Sequence, residues 1–156
     1  MATLSAARAS ATRPVYKPAG GGTVAVAQGV YEIAANPTAA DIIELFRLPA
    51  GAVVFDGAVR GDDIDTGTEA LDFDIGWAAN GTDAADPDGF GNFGVVTGDP
   101  VTELKPETQI YLPFNGTLKD GPVTFSAETV VQIVVNAPAN AGGTGTIWAY
   151  ALYYVP

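Results

Sequence analysis

The residues best suited to chemistry in this chain are carboxylates. Asp65-Thr66-Gly67-Thr68 has the Asp-Thr-Gly-Thr pattern by which a pair of aspartates, one from each of two subunits, can activate water for peptide hydrolysis. The residues before it, Gly61-Asp62-Asp63, oppose that use, because three acids within four residues repel one another if buried. An Asp/Gly turn between two strands accounts for the motif without catalysis. Asp62, Asp63 and Asp65, with Glu69 behind them, offer the oxygens that a structural Ca²⁺ takes from one flexible loop, and so do Asp83, Asp86 and Asp88 ahead of Gly89. Neither run has EF-hand spacing, and solvated loop tips explain both. Asp72 and Asp74 share a strand face at a separation within the roughly 5–10 Å that glycoside hydrolysis requires, as do many surface pairs. Trp148, Tyr150 and Tyr154 form an aromatic stripe that could stack on sugar rings, although such stripes also serve as core or subunit interface.

The missing residue types narrow the choice further. With no Cys there is no disulfide, thiolate nucleophile or Cys-ligated zinc, and with no His the commonest general base and metal ligand are lost. Ser5, Ser10 and Ser126 are the only serines, and none lies in a Gly-x-Ser-x-Gly elbow. The expectation is therefore a protein that is not an enzyme and has no cofactor beyond a structural Ca²⁺. A formal charge of −11 opposes binding to nucleic acid or anionic membrane, so neither is expected as a partner. No apolar run approaches the roughly 18 residues of a membrane span, and Met1 to Ser10 lacks the apolar centre of a secretory signal. The charge is polarised. Arg8, Arg13 and Lys17 precede the first acid, Glu32, whereas Asp41 to Glu107 holds fifteen of the eighteen acids. A basic arm thus leads into an acidic body.

The elements that must position these groups read as strands. Residues 1–22 are expected to form an extended N-terminal arm, with a short helix allowed in Met1 to Ala11, two prolines after it, and a flexible joint at Gly20-Gly21-Gly22. Residues 23–156 are expected to form one domain. Thr23 to Ile33 reads as a strand. Asp41 to Leu48 and Ala52 to Val59 form an apolar strand-turn-strand unit around Pro49-Ala50-Gly51, read as a core hairpin with proline second in a type I turn. Glu69 to Ala78 alternates, with Leu71, Phe73, Ile75 and Trp77 inward and Asp72, Asp74 and Gly76 toward water. Asn80 to Gly94 reads as a long loop carrying Phe90 and Phe93. Val95 to Val101 is ambiguous, and Leu104 to Glu107 reads as a turn. Gln109 to Phe114 and a return strand from Thr117 flank a hairpin signal at Asn115-Gly116. Thr129 to Val135, apolar on both faces, reads as a central strand. Thr146 to Val155 closes the chain. The fold class expected is all-β, a two-sheet antiparallel sandwich of jelly-roll type with an extended N-terminal arm.

The run from Asp41 to Val54 contains Leu48-Pro-Ala-Gly-Ala52, and with Leu71 to Trp77, Glu128 to Val135 and Gly145 to Tyr154 it resembles the head decoration (cement) proteins of tailed bacteriophages. The resemblance covers most of Asp41 to Tyr154. It implies a non-enzymatic protein on the capsid exterior of a virion, commonly a homotrimer, whose partner is the major capsid protein. The interface residues expected on this view are Arg8, Arg13, Val15, Tyr16 and Lys17, on an arm that orders against a neighbour. The alternative is a carbohydrate-binding β-sandwich that uses Trp148, Tyr150 or Phe90.

Overall fold

The computed structural model describes residues 1–19, 21–95 and 109–156. Its strands are β1 (Thr3–Ser5), β2 (Ala25–Ile33), β3 (Ile42–Leu48), β4 (Val53–Asp62), β5 (Asp72–Trp77), β6 (Asp86–Val95), β7 (Gln109–Pro113), β8 (Val123–Thr124), β9 (Thr129–Ala137) and β10 (Gly145–Tyr154). One sheet runs β1-β3-β9-β5-β6. The other runs β2-β10-β4-β7, with β8 added to β4. All pairs are antiparallel except β1 on β3. Leaving aside β1 and β8, the eight long strands have jelly-roll order, and the expected two-sheet sandwich is what forms.

The inward residues of the two sheets make one continuous core that includes Leu45, Phe46, Val54, Val59, Phe73, Ile75, Phe90, Val131, Ile133, Ile147 and Tyr153. Each large apolar side chain buried there contributes roughly 1.5–3 kcal/mol. β9 is central, between β3 and β5, and β10 is central between β2 and β4; in both the core-facing residues are buried, while Val130, Val134, Trp148 and Tyr150 on the outer faces are half-buried.

Several expectations give way to tertiary packing. The unit from Asp41 to Val59 is not a hairpin. β3 and β4 lie in different sheets, and the turn between them carries the chain from one layer to the other. That turn begins at Pro49, whose carbonyl accepts the Ala52 N–H at 3.1 Å, and Gly51 sits at φ +81°, which suits the third position of a type II turn. No helix forms in Met1 to Ala11, since the backbone of Thr3–Ser5 pairs with the β3 edge instead. Asn80 to Gly94 is not one long loop, because Asp86–Val95 is a strand on β5. Its glycines hid it, and they are there because β6 packs closely on Trp77. Asn115-Gly116 does not turn a hairpin. The Asn115 N–H donates to the Phe90 carbonyl at 2.9 Å, and Thr117–Asp120 is a short 3₁₀ turn that leads the chain to β8. The segment Val95 to Val101 falls outside the described residues after Val95, and Leu104 to Glu107 lies wholly outside them.

Candidate functional site

The arm lies on its own body. The small side chains of Ala6 and Ala9 are buried and seat it, and Pro18 is buried at its far end. Asp41 anchors its start. One carboxylate oxygen accepts the Ala2 N–H at 2.6 Å, and the other accepts the Thr38 N–H and hydroxyl, both at 2.9 Å. The Thr38 and Ala2 N–H groups hold the Asp41 carboxyl below its ordinary value. Tyr153 fastens the other end by donating its buried hydroxyl to the Tyr16 carbonyl at 2.6 Å. Burial pushes the Tyr153 phenol up.

Between these two fastenings the arm roofs a cleft of about 120 Å³. Pro14, Val15, Tyr16 and Arg8 form its arm side, Val26 to Gln28 of β2 its opposite side, and Phe46, Arg47 and Tyr153 its remaining wall. A bulge in β3 between Glu44 and Phe46 turns both Leu45 and Phe46 inward, which leaves Arg47 at the cleft, paired with Glu128. Of the residues expected at an interface, Arg8, Arg13 and Lys17 are exposed, Val15 is half-buried, and Tyr16 is 63% exposed. None of the three cations forms an ion pair among the described residues. Reading the sequence missed Asp41, Tyr153 and the β2 side of the cleft. A signal for the first existed, since Thr38 and Asp41 lie three apart just before a strand.

The acidic loops serve the backbone. Asp65 is 2% exposed and accepts the N–H groups of Ala70, Leu71, Asn140 and Ala141, at distances of 2.8 to 3.1 Å. Burial pushes its carboxyl up, but those four donors outweigh it and bring the value down to about 2. The residue clasps two loops together, and both of its oxygens are already occupied. Asp62 accepts the Thr146 N–H at 2.8 Å, and Asp83 accepts the Ser126 N–H at 2.8 Å and the Asn80 amide at 2.7 Å. Asp63 is half-buried beside this group. Burial and a hydrogen bond with Asp88 push Asp86 up. Among the described residues no three acidic side chains converge as a cation site would require.

Asp72 and Asp74 share the outer face of β5, where the Asn136 amide donates to both, at 3.3 and 3.0 Å. That face is not open to water as expected. Asp74 is only 9% exposed, and one of its oxygens has no hydrogen-bond partner among the described residues. Its cover comes from β6, whose Asp86 carbonyl would lie 1.9 Å from a Cβ at position 76, so only glycine fits there. Burial pushes the Asp74 carboxyl up, the Asn136 bond lowers it, and the charges of Asp72 and Asp88 push it up again.

The aromatic stripe on β10 faces outward with half-buried rings. Trp148 and Tyr150 lie 5.8 Å apart, between the exposed Val26 and Val30 of β2 and Tyr111 of β7. The Arg60 guanidinium sits over Tyr111 at 4.6 Å and over Trp148 at 5.4 Å. A sugar stacking on the ring face that Arg60 covers would have to displace this cation. Phe90 is closed to any ligand. It is fully buried, stacked on Phe114 at 4.7 Å and edge-on to Trp77 at 5.0 Å.

No family profile and no curated protein sequence matches the chain. Solved structures share its fold over nearly the whole length. A chain in the structure titled "Capsid of Ralstonia phage GP4" superposes with a TM-score of 0.77 at 21% identity, covering 99% of both chains. One from the "Cyanophage Pam1 capsid asymmetric unit" gives 0.65 at 24% identity, over 96% of this chain and 99% of that one. One from the "Acidic stable capsid structure of Helicobacter pylori bacteriophage KHP30" gives 0.55 at 15% identity, over 88% and 91%.

Proposed function

We propose that this chain is a structural virion protein that binds the outer surface of a phage capsid and stabilises contacts between major capsid protein subunits. The observation that carries the reading is the end-to-end match of its fold to chains solved within three phage capsids. Two features of the molecule support it. The carboxylates that could have served catalysis are bonded to backbone or covered, as Asp65 and Asp74 illustrate. Arg8, Arg13 and Lys17, which form no ion pair among the described residues, gather on one surface arm while the body is acidic, which suits attachment to a larger charged surface.

Attachment would work by avidity. Each subunit contributes modest contacts through Arg8, Arg13, Val15, Tyr16 and Lys17, and a homotrimer multiplies them without any single tight site. The outward row of Val30, Trp148, Arg60 and Tyr111 supplies a second surface for neighbours in such an assembly.

Phage particles from the source genome test this directly. Mass spectrometry of purified particles is expected to find the chain, and protease or surface labelling of intact particles is expected to reach it. Its absence from particles, or its complete protection inside them, overturns the reading. Sedimentation of the isolated chain measures the oligomer, with a trimer expected.

A further inference from the structure

We infer that the cleft under the arm is a docking slot for an extended, acidic segment of the partner polypeptide, which lies along the free edge of β2. The inference rests on the virion reading for the identity of the partner, but its chemistry stands on this chain alone.

Three observations lead to it. First, β2 is the outermost strand of its sheet, and among the described residues no strand pairs with its far edge. In an antiparallel pair alternate residues turn both backbone groups away from the partner. At least one of Val26, Ala27 and Gln28 therefore presents an N–H and a carbonyl at the cleft. A nine-residue edge of this kind is a template for an added strand. Second, the opposite wall is extended backbone at Pro14 to Tyr16, which makes no hydrogen bond to β2 among the described residues. The arm is fastened instead to Asp41, outside the cleft, and to Tyr153, which lines it. Third, the charge is one-sided. Arg8 lines the slot with no carboxylate partner among the described residues, Arg47 lines it paired with Glu128, and Arg13 and Lys17 lie on the same arm as Arg8, in a protein with net charge −11. Arg8, Arg13 and Lys17 meet none of the chain's own carboxylates. A segment with carboxylates on alternate residues would place its backbone against β2 and its charges against the arm. The exposed Val26 would receive the intervening apolar side chains.

The test uses the full chain, ¹⁵N-labelled, titrated with a capped peptide alternating glutamate and valine and with its glutamine-for-glutamate counterpart. The acidic peptide is expected to shift the amide signals of Val15, Tyr16 and Val26 to Gln28. Raising salt from about 0.05 M to about 0.5 M should weaken it. Arg8→Glu should weaken binding about ten-fold or more while the signals of β5 and β9 stay in place, so that loss of fold is not mistaken for loss of binding. Equal binding of the glutamine peptide, shifts confined to another surface, or an unchanged affinity in Arg8→Glu overturns the inference. Concentration-dependent self-association that Arg8→Glu abolishes, with no peptide binding, also overturns it, because the slot's occupant is then a second copy of this chain. None of these readouts involves particles, so failure of the virion reading is registered separately.

Discussion

Asp65 and Asp74 are both nearly buried carboxylates, and their surroundings drive them in opposite directions. Four backbone donors stabilise the charged form of Asp65, so its folded value, about 2, lies below the ordinary 3.8. The stability it contributes is complete above 3.8 and is lost as pH falls toward about 2. Asp65→Asn keeps the shape but aims an amide NH₂ at N–H donors, and urea unfolding at neutral pH is expected to show a loss of about 1.5–3 kcal/mol. Asp74 is the reverse case. Its folded value lies above 3.8, so it favours the fold when protonated and opposes it as pH rises through that value. Asp74→Asn, which can still accept from Asn136 and can donate to Asp72, is expected to raise the neutral-pH melting temperature by about 2–4 °C. The alternation that sets Asp72 and Asp74 on one face was legible in the sequence. The cover over Asp74 was not, because it comes from a strand whose sequence carries little β character. The Asp-Thr-Gly-Thr motif was legible as a turn, but a four-residue pattern cannot reveal that its carboxylate bonds to Asn140 and Ala141, some 75 residues away.

The arm is an element only by virtue of its fastenings. β1 covers the edge of β3, and Tyr153 holds the carbonyl of Tyr16. Tyr153→Phe removes one hydrogen bond, and a loss of about 1 kcal/mol is expected, with hydrogen exchange in residues 14–17 faster than in β9. Deleting residues 1–5 uncovers an apolar edge strand, and concentration-dependent association is expected in light scattering. Deletion is therefore a poor probe of partner binding, and reversing the charges of Arg8, Arg13 and Lys17 is the cleaner one. The central strand β9 could be read from composition because Thr129 to Val135 carries apolar residues on both faces apart from Gln132, and β10 could be read as a strand from its long alternating run. β6 could not, since Trp77 packs closely against Gly89 and the strand state of this glycine-rich run depends on β5. The change of sheet at Pro49 to Gly51 was equally hidden, because a turn within a sheet and a turn between sheets use the same residues.

At the scale of the molecule the chain is electrically lopsided, with Arg8, Arg13 and Lys17 on the arm, unpaired among the described residues, and its acids spread over the loops. On the proposed function, charge reversal of Arg8, Arg13 and Lys17 together is expected to leave the circular dichroism unchanged and to abolish co-sedimentation with capsids that lack this chain, most visibly at low salt. Retained co-sedimentation would show that attachment uses another surface, with the Val30 to Tyr111 row the first to examine. The topology also has a consequence for the order of events during synthesis. β2 is among the first strands to leave the ribosome, yet its described partner is β10, the last. The second sheet therefore cannot join β2 to β4 until β10 is free, and the Tyr153 wall of the cleft and its fastening arrive with that strand. Nascent chains arrested before β10 has emerged should remain open to protease, whereas released chains become resistant, on the slow timescale typical of folds dominated by distant pairings. A chain of this design becomes competent to bind only after β10 has left the ribosome.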